Sequence, residues 1–156
     1  MNAAESVVEA IFEGAPWFVA RLMADGPFES DAALLWHAGE LARAMPEADQ
    51  VALLAAHPRI GAPPASVSAM SFHEQGYDRP IDSGALPAQL DRLNDAYESR
   101  FGFRFVIFVN GRSRAEIARV MERALTSDRA TEKQRGLTDV VAIAADRLRT
   151  IREGGQ

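Results

Sequence analysis

The sequence predicts an all-α fold, a single-domain helical bundle with one short buried extended segment near residues 103–109, and three observations predict it. Apolar residues recur at the i, i+3, i+4 spacing of amphipathic helices through most of the 156 residues. Ser, Asp or Pro stands where such stretches begin, and Gly or Pro where they stop. One run, Phe103-Arg104-Phe105-Val106-Ile107-Phe108-Val109, has the β-branched and aromatic chemistry of a strand, yet it is short and no partner run is obvious.

The spacing predicts a first helix over 2–13, with Val7, Val8, Ile11 and Phe12 on one face and Gly14 as its stop. Pro16 suits the first turn of a second, whose apolar face is Trp17, Phe18, Leu22 and Met23 and which Asp25-Gly26-Pro27 ends. Ser30 is placed to cap a third from Asp31 to about Ala44, with Leu34, Leu35, Ala38, Leu41 and Ala42 inward. After the interruption at Pro46, a short helix over 47–55 delivers His57 at its C-terminal end. Pro58 then biases His57 out of the helical region.

Residues 60–70, with Gly61, Pro63, Pro64, Ser66 and Ser68, read as a loop. Ser71 with Glu74 three positions on is a capping box for another helix, and 78–86 is again loop. Pro87 opens a helix with Leu90, Leu93, Asn94 and Tyr97 in line, terminated by Gly102. Ser113 and Glu116 form a second capping box ahead of Ile117, Val120, Met121 and Leu125. The last helix spans about 128–152 with Leu137, Val140, Val141, Ile143, Ala144 and Leu148 inward. Its Gly136 is a local weakness of about 1 kcal/mol relative to alanine.

Composition narrows the function. A net charge of −5 with arginines scattered among acids argues against a nucleic-acid surface. The absence of cysteine removes disulfides, thiolate nucleophiles and zinc-thiolate sites, and the three histidines fit no zinc template, so no metal is expected. No run reaches the roughly 18 apolar residues of a membrane span. The first residues lack a secretion signal, and a cytoplasmic protein is the expectation.

The candidates for chemistry lie at the two ends of the 60–70 loop and, for Arg147, on the last helix. A histidine ordinarily titrates near neutrality, and His57 is stiffened by Pro58, as an acid/base group must be; a cationic histidine capping the last carbonyls of its helix is the plainer alternative. Glu74 could act as a base or orient one, or could serve only the cap with Ser71. Gln75 offers one donor and one acceptor to a planar ligand. Arg147 could clamp a carboxylate bidentately or be a solvated charge. His73 and His37 read as structural.

Taken together these residues resemble a family. His57-Pro58 after Leu53-Leu54-Ala55-Ala56, Ser71-x-x-Glu74-Gln75, Leu93-Asn94-x-x-Tyr97, Phe101-Gly102-Phe103-x-Phe105-Val106-Ile107, the Glu13-x-x-Pro16-Trp17 opening and the Ile143-Ala144-x-x-Arg147-Leu148 ending closely resemble 2-oxo-4-hydroxy-4-carboxy-5-ureidoimidazoline (OHCU) decarboxylases. The resemblance implies an all-helical homodimer that converts OHCU to (S)-allantoin in urate degradation, with no cofactor. It implies that His57 is the proton donor and that Glu74 binds the substrate hydroxyl or tunes the imidazole. Pro58, Ser71, Gln75 and Arg147 become substrate-binding groups, Arg147 for an anionic group. Phe105, Val106, Ile107, Phe108 and Val109 would offer backbone hydrogen bonds.

Four departures accompany the likeness: Gly76 follows Glu74-Gln75 at once where Ala-Gly is usual, His73 is a bulky residue inside the motif, Arg104 stands where many relatives carry proline, and the loop from Gly61 to Met70 is proline-rich and differs from the commonest form. A non-catalytic ureide- or partner-binding module, or a decarboxylase of a related ureide acid, are the competing readings. For the decarboxylase, His57→Asn or Glu74→Ala is expected to remove activity with the melting temperature nearly unchanged.

Overall fold

The computed structural model describes residues 3–62, 66–76 and 84–154. Among them are eight helices and no strand: α1 Ala3–Ile11, α2 Pro16–Ala24, α3 Asp31–Ala44, α4 Glu47–Ala55, α5 Ala69–Glu74, α6 Leu86–Phe101, α7 Arg114–Ala124 and α8 Arg129–Gly154. Pro63, Pro64 and most of the expected 78–86 loop lie outside the described residues.

The long α8 is the spine. Helices α1, α3 and α4 pack on it, α2 bridges α1 and α3, and α6 pairs with α7. Leu137, Val140, Ile143, Ala144 and Leu148 give α8 its buried stripe, as their spacing predicts. Gly136 is buried in that same stripe. A Cβ there would stand 3.1 Å from Cδ2 of Leu54, itself fully buried on α4, so any larger residue would require the Leu54 side chain to give way.

The helix ends follow the expected chemistry at three places and depart from it at one. Ser30 accepts from the amide of Ala33 and Ser113 from that of Glu116, while Gly102 closes α6 in the left-handed conformation. Ser71, however, is not a cap. Ser68 takes that role, its hydroxyl accepting from the Ser71 amide at 3.1 Å, and the helix begins one turn earlier than the capping-box spacing suggests. Ser71 is instead buried inside α5, and Glu74 closes the helix at its last residue with its carboxylate pointing elsewhere.

The 103–109 run is extended and buried, without a sheet. Phe103 and Phe105 pack on Tyr97 of α6 at 5.8 and 5.1 Å between ring centroids, and the Arg135 guanidinium lies over the Phe105 ring at 4.9 Å. Such a segment must satisfy its backbone polar groups with something other than a neighbouring strand.

Candidate active site

Helix α8 supplies those partners. Arg135 Nη1 donates to the Val106 carbonyl at 3.0 Å, and Asp139 Oδ2 accepts from the Phe108 amide at 3.2 Å. Arg112 donates to the carbonyls of Phe108 and Val109. The two α8 side chains are bonded to each other at 3.1 Å, and Arg135 also meets the buried Glu132, which accepts the Tyr97 hydroxyl proton at 2.8 Å. Burial raises the Asp139 pKa against the pull of the Phe108 amide and of Arg135.

In an extended chain successive residues turn their polar groups to opposite sides. With Val106 and Phe108 tied to α8, Ile107 faces the other way. Its N–H and C=O have no hydrogen-bond partner among the described residues. Ile107 lines a cavity of about 300 Å³, and so do Phe105, Val106, Phe108 and Val109.

The cavity's other walls gather the remaining candidate site residues. His57 and Pro58 come from the end of α4, Ser71, Glu74 and Gln75 from α5, and Arg147 from α8. Residues not singled out for the site join them: Ile60, Asn110, Gly111, Ile143, Asp146 and the exposed His73. His37 is remote, its Nε2 bonded to Asp25 at 2.8 Å. Among the described residues no group of three or more His, Asp or Glu side chains stands where a metal ion could be held.

His57 is buried, and its Nδ1 makes no well-aligned hydrogen bond among the described residues. Burial is the main reason its pKa is lowered to about 4; Arg147 and Arg104 push the same way and the Leu53 carbonyl opposes them. That shift favours the neutral ring near pH 7 over a cationic helix cap.

Glu74 and Arg147 meet face to face. Nε of Arg147 donates to Oε2 at 2.7 Å and Nη2 to Oε1 at 2.9 Å, while Nη1 reaches the Ile11 carbonyl at 3.3 Å. Glu13 stands 3.6 Å from the same guanidinium and accepts from the Ser68 hydroxyl at 2.6 Å and, at 3.4 Å, from that of Ser71. Gly14 makes this possible. Its positive φ turns the chain after α1, and its Cα hydrogen side lies so close to the Ala56 carbonyl that a Cβ would sit at 3.1 Å. Gln75 is also committed: Oε1 accepts from the Gly61 amide at 2.9 Å and Nε2 donates to the Arg59 carbonyl at 3.0 Å, bracing the chain just after His57 and Pro58.

A sequence model of the OHCU decarboxylase family matches residues 1–149. The chain belongs to that family. It is 32% identical over 150 residues to the 2-oxo-4-hydroxy-4-carboxy-5-ureidoimidazoline decarboxylase of Haloferax volcanii, covering 92% of this chain and 88% of the relative. It is also 32% identical over 146 residues to the uric acid degradation bifunctional protein PucL of Bacillus subtilis, covering 91% of this chain and 29% of that longer protein. The crystal structure of an OHCU decarboxylase in the presence of (S)-allantoin superposes with a TM-score of 0.71 at 20% identity, covering 92% of this chain and 94% of the other, which establishes the shared family fold.

Proposed function

We propose that the chain decarboxylates OHCU to (S)-allantoin in urate degradation, and that His57 handles the proton. The observation that carries this reading is the meeting, in one cavity of about 300 Å³, of a buried imidazole with a lowered pKa, the Glu74–Arg147 pair and the backbone groups of Ile107, which have no hydrogen-bond partner among the described residues. It is supported by membership of the family and by relatives that bear the activity's name.

The reaction balances without an external electron sink. The bond to the carboxylate carbon breaks and its electron pair moves into the adjacent ring C=N unit, releasing CO₂. The ring nitrogen and then the ureido-bearing carbon take protons while the hydroxyl gives one up. The net change is uptake of one proton. The protein has only to hold the ring, strip water from the carboxylate and move protons.

Each wall then has a task. The Ile107 N–H and C=O match the alternating C=O and N–H edge of a ureide. Glu74 accepts from the substrate hydroxyl. Arg147 is already balanced by Glu74 and Glu13, so an entering carboxylate is incompletely neutralised, which favours its departure as CO₂. That carboxylate is also the anion that raises the His57 pKa, so the ring takes up a proton on binding and delivers it to one face, giving the S product. Gln75 has one amide hydrogen left for the ligand and otherwise holds the loop; Pro58 and Ser71 shape the wall. We take the chain to work as a single-domain cytoplasmic homodimer, a reading supported by the family resemblance and tested by sedimentation equilibrium.

The test supplies OHCU freshly from urate with uricase and hydroxyisourate hydrolase and follows (S)-allantoin by circular dichroism. The wild-type chain accelerates its appearance, and His57→Asn lowers the rate by about 10²-fold or more. A His57→Asn protein with full rate would overturn the assignment of the proton donor, and no acceleration by wild type would overturn the activity.

A further inference from the structure

His57 follows directly on the C-terminal end of α4, where the last carbonyls of a helix lack partners and present a partial negative charge. A protonated histidine in that place can hydrogen-bond those carbonyls and is favoured by their charge. Here another side chain occupies the position. Nη1 of Arg104, from the extended segment, donates to the Ala55 carbonyl at 3.1 Å and to the carbonyl of His57 itself at 2.8 Å. A fixed cation thus closes the helix end while the adjoining ring lines the cavity, its Nδ1 making no well-aligned hydrogen bond among the described residues.

We infer that Arg104 is a positioning residue for His57: by capping the end of α4 it keeps the imidazole off those carbonyls and available to the cavity. The inference rests on the reading of His57 as the proton-handling group. The neighbouring charges do not supply the same function. On the cavity side the ring shares its space with Glu74 and His73 of α5 and with Asp146 and Arg147 of α8. Arg147 is tied to Glu74, and Asp146 to Arg149 at 2.9 Å. On the α4 side, Glu98 of α6 lies 3.9 Å from Nε of Arg104 and holds the guanidinium from behind, while Arg59 pairs with Glu98 and Asp95. Among the charged side chains of the described residues, Arg104 is the one hydrogen-bonded to the backbone on which the imidazole is mounted.

The cost of losing it falls on the ring. Without Arg104 the Ala55 and His57 carbonyls lose their donor, and the imidazole, mounted on the same stretch of backbone and already close to the Leu53 carbonyl, is a titratable side chain that can turn toward them. Protonation then becomes easier, and the ring is drawn from the cavity toward the helix end.

The test titrates His57 by NMR in the ligand-free protein for wild type, Arg104→Gln, Arg104→Met and Arg104→Lys. Arg104→Met keeps the packing of the aliphatic stem and serves where Arg104→Gln folds poorly. The expected result is a rise of about one pKa unit, tenfold in proton affinity, in the neutral variants and recovery of most of the wild-type value in Arg104→Lys. In turnover, kcat falls about tenfold with KM within about threefold, and the acidic limb of the kcat profile moves with the ring. A His57 titration unmoved in a folded neutral variant would overturn the inference. Because that measurement needs no substrate, its failure is distinct from absence of decarboxylation.

Discussion

Arg147 and Glu74 stand 73 residues apart in sequence and share two parallel hydrogen bonds, at 2.7 and 2.9 Å, that join the spine helix α8 to the short α5. Arg147 is almost wholly buried, with 3% of its side chain exposed, whereas Glu74 keeps 22%. The pairing therefore fixes α5 against the fold as well as lining the cavity.

Removing the carboxylate strands a buried guanidinium. Glu74→Ala should cost about 2 kcal/mol after allowance for the partial exposure of Glu74, and lower Tm by about 5 °C. Glu74→Gln, which keeps one acceptor, should cost less than half of that. Thermal unfolding followed at 222 nm checks both. This replaces the expectation that Glu74→Ala leaves Tm nearly unchanged; a variant melting within 1 °C of wild type would restore it.

The depressed pKa of His57 makes a signed prediction. The folded state holds the ring neutral down to about pH 4, whereas the unfolded chain takes up its proton near 6.5. The unfolded state thus binds more protons between those values, so the contribution of this ring to stability is complete above pH 6.5 and falls away as pH drops to about 4. The loss is roughly 3 kcal/mol. Urea unfolding of wild type and His57→Asn across pH 4 to 7 isolates it, since other groups cancel in the difference. A pH-independent difference would show that His57 is not held neutral.

Asp139 anchors the extended segment through the Phe108 amide. Asp139→Ala frees that amide and loosens Arg135, so KM should rise about fivefold, the worth of one hydrogen bond, with a smaller change in kcat. Asp139→Asn can still accept and should recover most of the affinity. Equal losses for both variants would point to charge rather than anchoring.

The two serines of α5 should separate cleanly. Ser68→Ala removes the helix cap and costs about 1 kcal/mol locally, whereas Ser71→Ala leaves the cap intact. Amide hydrogen exchange across residues 69–75 is the readout, with faster exchange expected for Ser68→Ala alone. The reverse order would return the cap to Ser71.

Most of the fold was legible because its signals are local. Ser30, Ser113, Pro16, Pro87 and Gly102 each act within one turn of chain, and the apolar spacing of α8 names its own buried stripe. The capping box at Ser71 misled because Ser68 lies one turn earlier, and spacing cannot say which of two serines has the extended backbone a cap requires. At the site, His57, Glu74 and Arg147 stood out as residue types, but their pairing depends on tertiary distance. Arg104, Arg112, Arg135 and Asp139 were missed because a charged side chain that satisfies a distant carbonyl or amide looks, in sequence, like any solvated charge. One sign was there: Arg135, Asp139, Ile143 and Arg147 recur every fourth residue along a single drifting line of α8.

The alternating attachment of Val106, Ile107 and Phe108 sets which kinds of sequence change the protein can absorb. Exchange of one apolar side chain for another between 105 and 109 leaves the main-chain atoms where they are, so drift there is tolerated as long as volume is kept. Deleting a single residue from that stretch is another matter: it would hand the ligand's atoms to α8 and the helix's atoms to the ligand, emptying the site of its function while leaving the helices themselves untouched.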